Sequence, residues 1–211
     1  GDPHQLPALV SEDGLEFNHG RSMMERLISL GYPSELLDTQ RRMHPDIVKF
    51  SNKTYYDGKL KTDYKELKGN KMKPFEIVKT TSNEERIGTS YQNKGEAIKV
   101  VELYQQLKKE FNDVIIISPY QAQCNLLKQL NKDVEIHTVD SFQGREADAV
   151  ILTTVRTNNV GFWHDYRRLN VAMTRAKHVL RIVGNNDAWK NGPLKDLNTF
   201  CNKKLNKNLN T

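Results

Sequence analysis

Four short runs rich in β-branched residues, Phe75 to Val78, Val114 to Ile117, Ala149 to Val155 and Val179 to Val183, constrain this chain more than anything else in it. They are near-continuous rather than alternating, the pattern of strands covered on both faces, and strands covered on both faces belong mainly to parallel sheets. A fifth, weaker run covers Val134 to Val139. Between them lie Lys94 to Glu110, Gln121 to Asn131 and Tyr166 to Lys177, each with helical spacing of its apolar residues. Strands alternating with helices of this length predict βαβ units, an α/β fold with a mostly parallel sheet of about five or six strands. The first third reads differently. Ser22 to Leu30 and Pro45 to Asn52 are predicted helices separated by Gly31, Tyr32 and Pro33, and Lys59 to Lys73 is a lysine-rich, exposed stretch that suits either a solvated loop or a nucleic-acid contact.

The length of 211 residues suits one domain, residues 1–200, followed by an Asn/Lys-biased tail, 201–211, expected to fray. No apolar run approaches the roughly 20 residues of a membrane span, so no membrane partner is expected. The first residues lack the basic and apolar regions of a secretion signal, and the missing start methionine suggests a chain cut from a larger protein. Cys124 and Cys201 stand far apart, which argues against a zinc cluster or a disulfide framework and favours a reducing compartment, nucleus or cytoplasm. A net charge of +6 is compatible with a polyanionic partner and by itself decides nothing.

Five segments carry chemistry, each expected at the end of a predicted strand, where open parallel sheets place their ligands. The first, GDPHQLP from Gly1 to Pro7, is by itself a polar turn, and Gln5 gains meaning only in company. In LDTQRRMHP, Leu37 to Pro45, adjacent arginines precede a helix. They suit phosphate oxygens, although taken in isolation surface bridges to acids such as Asp38 or Asp46 come first; His44 and Pro45 read as a helix start. In IIISPYQAQ a strand ends at Ser118 and a helix follows, a natural seat for phosphate, with Tyr120 free to stack on a base or to pack. HTVDSFQGREADAVILTTVR places Thr138, Ser141, Arg145 and Glu146 in a polar turn between two core strands, with Gly144 permitting close backbone approach. A structural turn alone does not need that density of polar groups. In DYRRLNVAMTRAKHVLRIVGN, Arg168 and Arg175 are seven residues apart and are predicted to share one face of a mostly apolar helix. A partly buried arginine there needs a partner, for which a phosphate qualifies.

In this order GDPHQLP, QRRMHP, SPYQAQ, VDSFQGRE and RRLNVAMTRAK resemble motifs III, IV, IVa, V and VI of superfamily 1 helicases, in the Upf-like branch that includes senataxin. The resemblance runs from Gly1 to about Asn185. It implies a RecA-like three-layer sandwich, the second of two such domains, with ATP and Mg2+ in the cleft between them and single-stranded RNA or DNA across both. The first RecA-like domain would hold the Walker A loop and the Mg2+ ligands; Gly58-Lys59 here lacks the glycine spacing of that loop. By resemblance Gln5 senses the γ-phosphate and Arg42 and Arg175 are arginine fingers. Glu146 contacts the ribose, Gly144 lets the backbone approach the nucleotide, Gln40 orients its segment, and Ser118, Tyr120, Thr138 and Ser141 line the strand's path. Arg41 departs from the family's QYRMHP, whose tyrosine stacks on adenine, although a guanidinium can also lie flat on a base. Lys177 replaces a common arginine and keeps its charge.

The resemblance implies an ATP-driven helicase or translocase, inactive as these residues alone. A degenerate motor serving as an ATP-independent nucleic-acid or protein-binding scaffold is the second reading, with Arg41 as its motif-level hint. An unrelated kinase or dehydrogenase is disfavoured, since neither GxGxxG nor a P-loop occurs.

Overall fold

The computed structural model describes residues 1–208 apart from Leu9 and Asn18, and the last three residues of the expected tail lie outside the described residues. Its strands are β1 (Thr39–Gln40), β2 (Lys61–Thr62), β3 (Phe75–Lys79), β4 (Glu85–Ile87), β5 (Ser90–Gln92), β6 (Val114–Ile117), β7 (Ile136–His137), β8 (Ala147–Thr153) and β9 (Ala176–Gly184). Its helices are α1 (Glu12–Glu16), α2 (Met23–Ser29), α3 (Pro45–Tyr55), α4 (Lys94–Leu107), α5 (Gln121–Leu130), α6 (Tyr166–Met173) and α7 (Gly192–Asn208).

The main sheet has five strands in the order β3-β9-β8-β6-β7, and every neighbouring pair is parallel. The strand alternation divides its side chains between two cores. Ile115, Ile117, Val150, Leu152, Leu180 and Ile182 face α3, α6 and α7, in a cluster with Ile47, Phe50, Leu169, Met173 and Leu197. Val114, Ile116, Ala149, Ile151, Val179 and Val183 face α4 and α5, with Ala97, Val100, Leu107 and Leu127. Covering both faces explains why the strands read as unbroken apolar runs. The result is the three-layer RecA-like sandwich, with five strands.

Most predicted elements stand where the sequence places them, and three differ. The helix expected over Tyr166 to Lys177 stops at Met173, with Thr174 as its cap, and the chain passes straight into β9 at Ala176. Pairing of Ala176 with Ala147 and the bond from the Ala147 amide to the Arg175 carbonyl (3.0 Å) draw these residues into the sheet. Arg168 and Arg175 therefore do not share a helix face; Arg175 occupies the helix-to-strand junction. The run at Val134 to Val139 yields only the two residues of β7, and buried Val139 precedes a 3-10 turn, Asp140–Phe142. The tail expected to fray from Cys201 continues α7 as far as Asn208.

Candidate functional site

The Gln40–Met43 turn aims its two arginines apart. Gln40 is its clasp: its side-chain oxygen accepts from the Met43 amide (2.8 Å), and its nitrogen donates to the Met43 carbonyl (2.9 Å) and to Thr62 (3.0 Å) on β2. His44 caps α3 through Nδ1, which accepts from the Asp46 amide, and Pro45 supplies the first helical residue. Neither His44 nor Gln40 is left as a reactive group.

Arg42 points inward, its Nε bonded to Glu146 and its terminal nitrogen donating to the Thr174 carbonyl at 3.1 Å. Lys177 lies 3.7 Å from the other Glu146 oxygen and 3.3 Å from Asp148. Burial pulls the Glu146 carboxyl upward, but the bond to Arg42 and the charges of Arg42 and Lys177 bring it below the usual carboxylate range. Arg175 is 3% exposed and bonded to carbonyls instead of a carboxylate, donating to Val171 (2.9 Å) and Arg145 (3.3 Å). Burial, with the repelling charge of Arg42, lowers its pKa to about 10. Arg42 and Lys177 thus pair with Glu146 and Asp148 where the cluster is partly open to solvent, while buried Arg175 lies within electrostatic reach of Arg42 and Glu146, so the cluster carries more positive than negative charge. An incoming anion would relieve that excess.

Gln5 enters the same neighbourhood indirectly. Its side chain donates to Asp2 (3.0 Å); Asp2 accepts the Tyr56 hydroxyl (2.8 Å), and Asn170 donates to that same hydroxyl (3.0 Å) and to the His4 carbonyl (2.8 Å). Tyr56 was not singled out in the sequence, and only the structure shows that it and Asp2 tie Gln5 to α6. Arg41 points outward and pairs with Asp63 at 2.9 Å, both highly exposed. Gly144 has φ of +82° with nothing within 4 Å of where a Cβ would stand, so the requirement there is conformational and the approach is open.

The strand-path residues divide into two pairs. Thr138 and Ser141 cap one another at an accessible turn, each side-chain oxygen accepting from the other's amide, at 3.2 and 3.0 Å. Ser118 and Tyr120 are buried, which removes their side chains from any direct contact with a strand in this conformation. Ser118 Oγ accepts from the Tyr120 amide (3.2 Å), and the Tyr120 hydroxyl accepts from the Phe162 amide (3.2 Å). Of the two roles open to Tyr120, packing is the one observed.

Beside Tyr120, the Arg156 guanidinium lies 3.8 Å from the Tyr91 ring centroid and bonds to Glu84 at 3.0 Å, the pair almost closed to solvent. Glu84 also accepts from the amides of Thr157 and Asn158. A Cβ on Gly161, at φ +49°, would run into the Tyr120 hydroxyl. Gly161→Ala is expected to destabilise the chain by about 2 kcal/mol, a combination of overpacking and backbone strain. Urea unfolding checks this, and adding Tyr120→Phe should return part of the loss; no loss in the single variant would refute the account.

A family model described as an AAA domain matches residues 19–187. An uncharacterized ATP-dependent helicase of Methanocaldococcus jannaschii is 38% identical over 90% of this chain and 32% of its own length. Regulator of nonsense transcripts 1 of Dictyostelium discoideum is 35% identical over 99% of the chain and 18% of its own length. Helicase SEN1 of Saccharomyces cerevisiae is 32% identical over 87% and 10%. The chain spans about a third or less of the length of these curated relatives.

Proposed function

Because this chain belongs to that AAA-domain family, as the C-terminal RecA-like domain of superfamily 1 helicases of the Upf-like and senataxin-like branch, we propose that it is one half of an ATP-driven motor on single-stranded RNA or DNA. One observation carries the proposal: Arg175 is buried without a carboxylate of its own and within electrostatic reach of Arg42, which is paired with Glu146, so positive charge is in excess. Nucleotide hydrolysis needs cations placed beforehand where charge grows on the transferring phosphoryl group.

On this reading Arg42 exchanges Glu146 for phosphate oxygens and Arg175 stabilises the transition state. Glu146, released from Arg42, accepts from the ribose. Gly144 admits the nucleotide to the backbone, Gln40 holds the arginine turn, and Arg41 lies flat on the base. Gln5 reports the γ-phosphate through Asp2 and Tyr56 to α6. The first RecA-like domain supplies the Walker loop and the ligands that hold Mg2+ on ATP. Thr138 and Ser141 contact phosphate and sugar along the strand.

These 211 residues alone are expected to show no ATPase and to bind single strands weakly, with log affinity falling linearly with log salt. Fluorescence anisotropy of labelled RNA and DNA strands at several salt concentrations, beside a phosphate-release assay, tests both expectations. Turnover by this chain alone, or strand affinity indifferent to salt, would count against the reading.

A further inference from the structure

The segment holding Leu6, Pro7 and Ala8 and the start of α6 enclose a cavity of about 470 Å³, the size of a small-molecule pocket. It lies at the end of α6 opposite Arg175. One wall is apolar. Arg167 and Arg168 are also on the lining; their Nε atoms are enclosed by protein and have no hydrogen-bond partner among the described residues. Their remaining nitrogens reach Glu25 at 3.3 Å and Asp165 at 3.8 Å. Asp140, also on the lining, belongs to the accessible 3-10 turn between Thr138 and Ser141; its carboxylate makes no side-chain hydrogen bond or ion pair among the described residues.

The guanidinium groups of Arg167 and Arg168 and one uncommitted acceptor thus border one space. Arg21, Arg167 and Arg168 are balanced there by Glu25, Asp140 and Asp165, so the lining has no excess positive charge with which to select a phosphate. A flat ligand with apolar faces, and with both donors and acceptors on its edge, matches the cavity better. Those are the properties of an unstacked nucleobase.

We propose that this cavity receives a single nucleobase of the bound strand, turned out beside the Thr138–Ser141 turn. The base lies against Leu6 and Pro7, takes hydrogen bonds on its acceptor edge from the terminal nitrogens of Arg167 and Arg168 as these leave Glu25 and Asp165, and donates an exocyclic amine to Asp140. The pocket makes binding depend on the presence of a base, and it favours bases that carry an amine. It rests on the strand path proposed above and adds a base contact to one described so far by phosphate and sugar.

The test uses the 211-residue chain and fluorescein-labelled 12-mers of oligo(A), oligo(U) and an abasic backbone, followed by anisotropy. Oligo(A) is expected to bind about tenfold tighter than the abasic strand, with oligo(U) between them. Ala8→Trp, an exposed position on the cavity wall, is expected to bring oligo(A) to the abasic level and to leave abasic binding unchanged. Free AMP, titrated against the chain and Ala8→Trp, separates the two sources of a base. Equal binding of oligo(A) and abasic strands overturns the pocket alone, as does AMP binding that Ala8→Trp removes while the strands show no base dependence. Absence of binding by every strand overturns the strand path and the pocket with it.

Discussion

Arg175→Met is expected to lower the nucleic-acid-stimulated ATPase of the intact helicase by about 10³-fold or more, the scale of an arginine finger, without lowering the thermal stability of this domain. The two halves of that expectation have one cause. Arg175 is held by the carbonyls of Val171 and Arg145, and burial together with Arg42 brings its pKa down to about 10. A base whose folded pKa lies below its unfolded value costs stability at every pH at which it remains charged in both states. A methionine fills similar space without the charge, so melting at or above the parent's temperature is expected. A purely structural arginine would give the reverse, an unfolded or weakened domain whose activity falls only with the folded fraction. Activity within tenfold of the parent in a folded variant would remove Arg175 from the reaction.

The parallel sheet was readable because its strands are buried on both faces and so lack polar interruptions. The junction at Arg175 was not, because α6 passes into β9 with no glycine or proline between Met173 and Ala176, and only pairing with Ala147 decides where the helix ends. The β4–β5 hairpin, closed by Gly88 and Thr89, was missed although a Gly-X pair is a turn signal; its strands are three residues each and carry little apolar character. At the site, residue types marked Arg42, Glu146 and Arg175; the pairing of Arg42 with Glu146 and the burial of Arg175 within electrostatic reach of both are seen in the structure. The same motif logic put Ser118 and Tyr120 on the surface, where tertiary packing has closed them in. Asp2, Tyr56 and Asn170 form a relay between distant segments, which no local pattern announces.

The Asn-x-x-Glu opening of α4 looks from sequence like an ordinary capping box, with Glu96 returning to the amide of Asn93. Gln123 takes that amide instead (2.8 Å), and Glu96 reaches across to the end of β8. There it accepts from the Thr153 hydroxyl (2.7 Å) and the Val155 amide (2.9 Å). Val155 has φ of +67°, a conformation costly for a β-branched residue by about 1 to 3 kcal/mol, and the Glu96 and Asn93 side chains hold its amide and carbonyl. Full burial raises the Glu96 pKa from 4.5 to about 7, against the opposing bonds from Thr153 and Val155. Between those values the folded state binds the proton more readily than the unfolded one, so this group's contribution to stability falls as pH rises from about 4.5 to 7 and is level above. The fall is on the order of 3 kcal/mol. Glu96→Gln keeps an acceptor for Val155 and cannot ionise, so its stability relative to the parent is expected to rise across that window. Glu96→Ala leaves the Val155 amide buried and unpaired and is expected to lose about 3 kcal/mol or more at pH 5. Urea unfolding of the three proteins at pH 5 and pH 8 separates these outcomes. A parent and Glu96→Gln that keep the same stability difference at both pH values would mean that Glu96 does not titrate in this range.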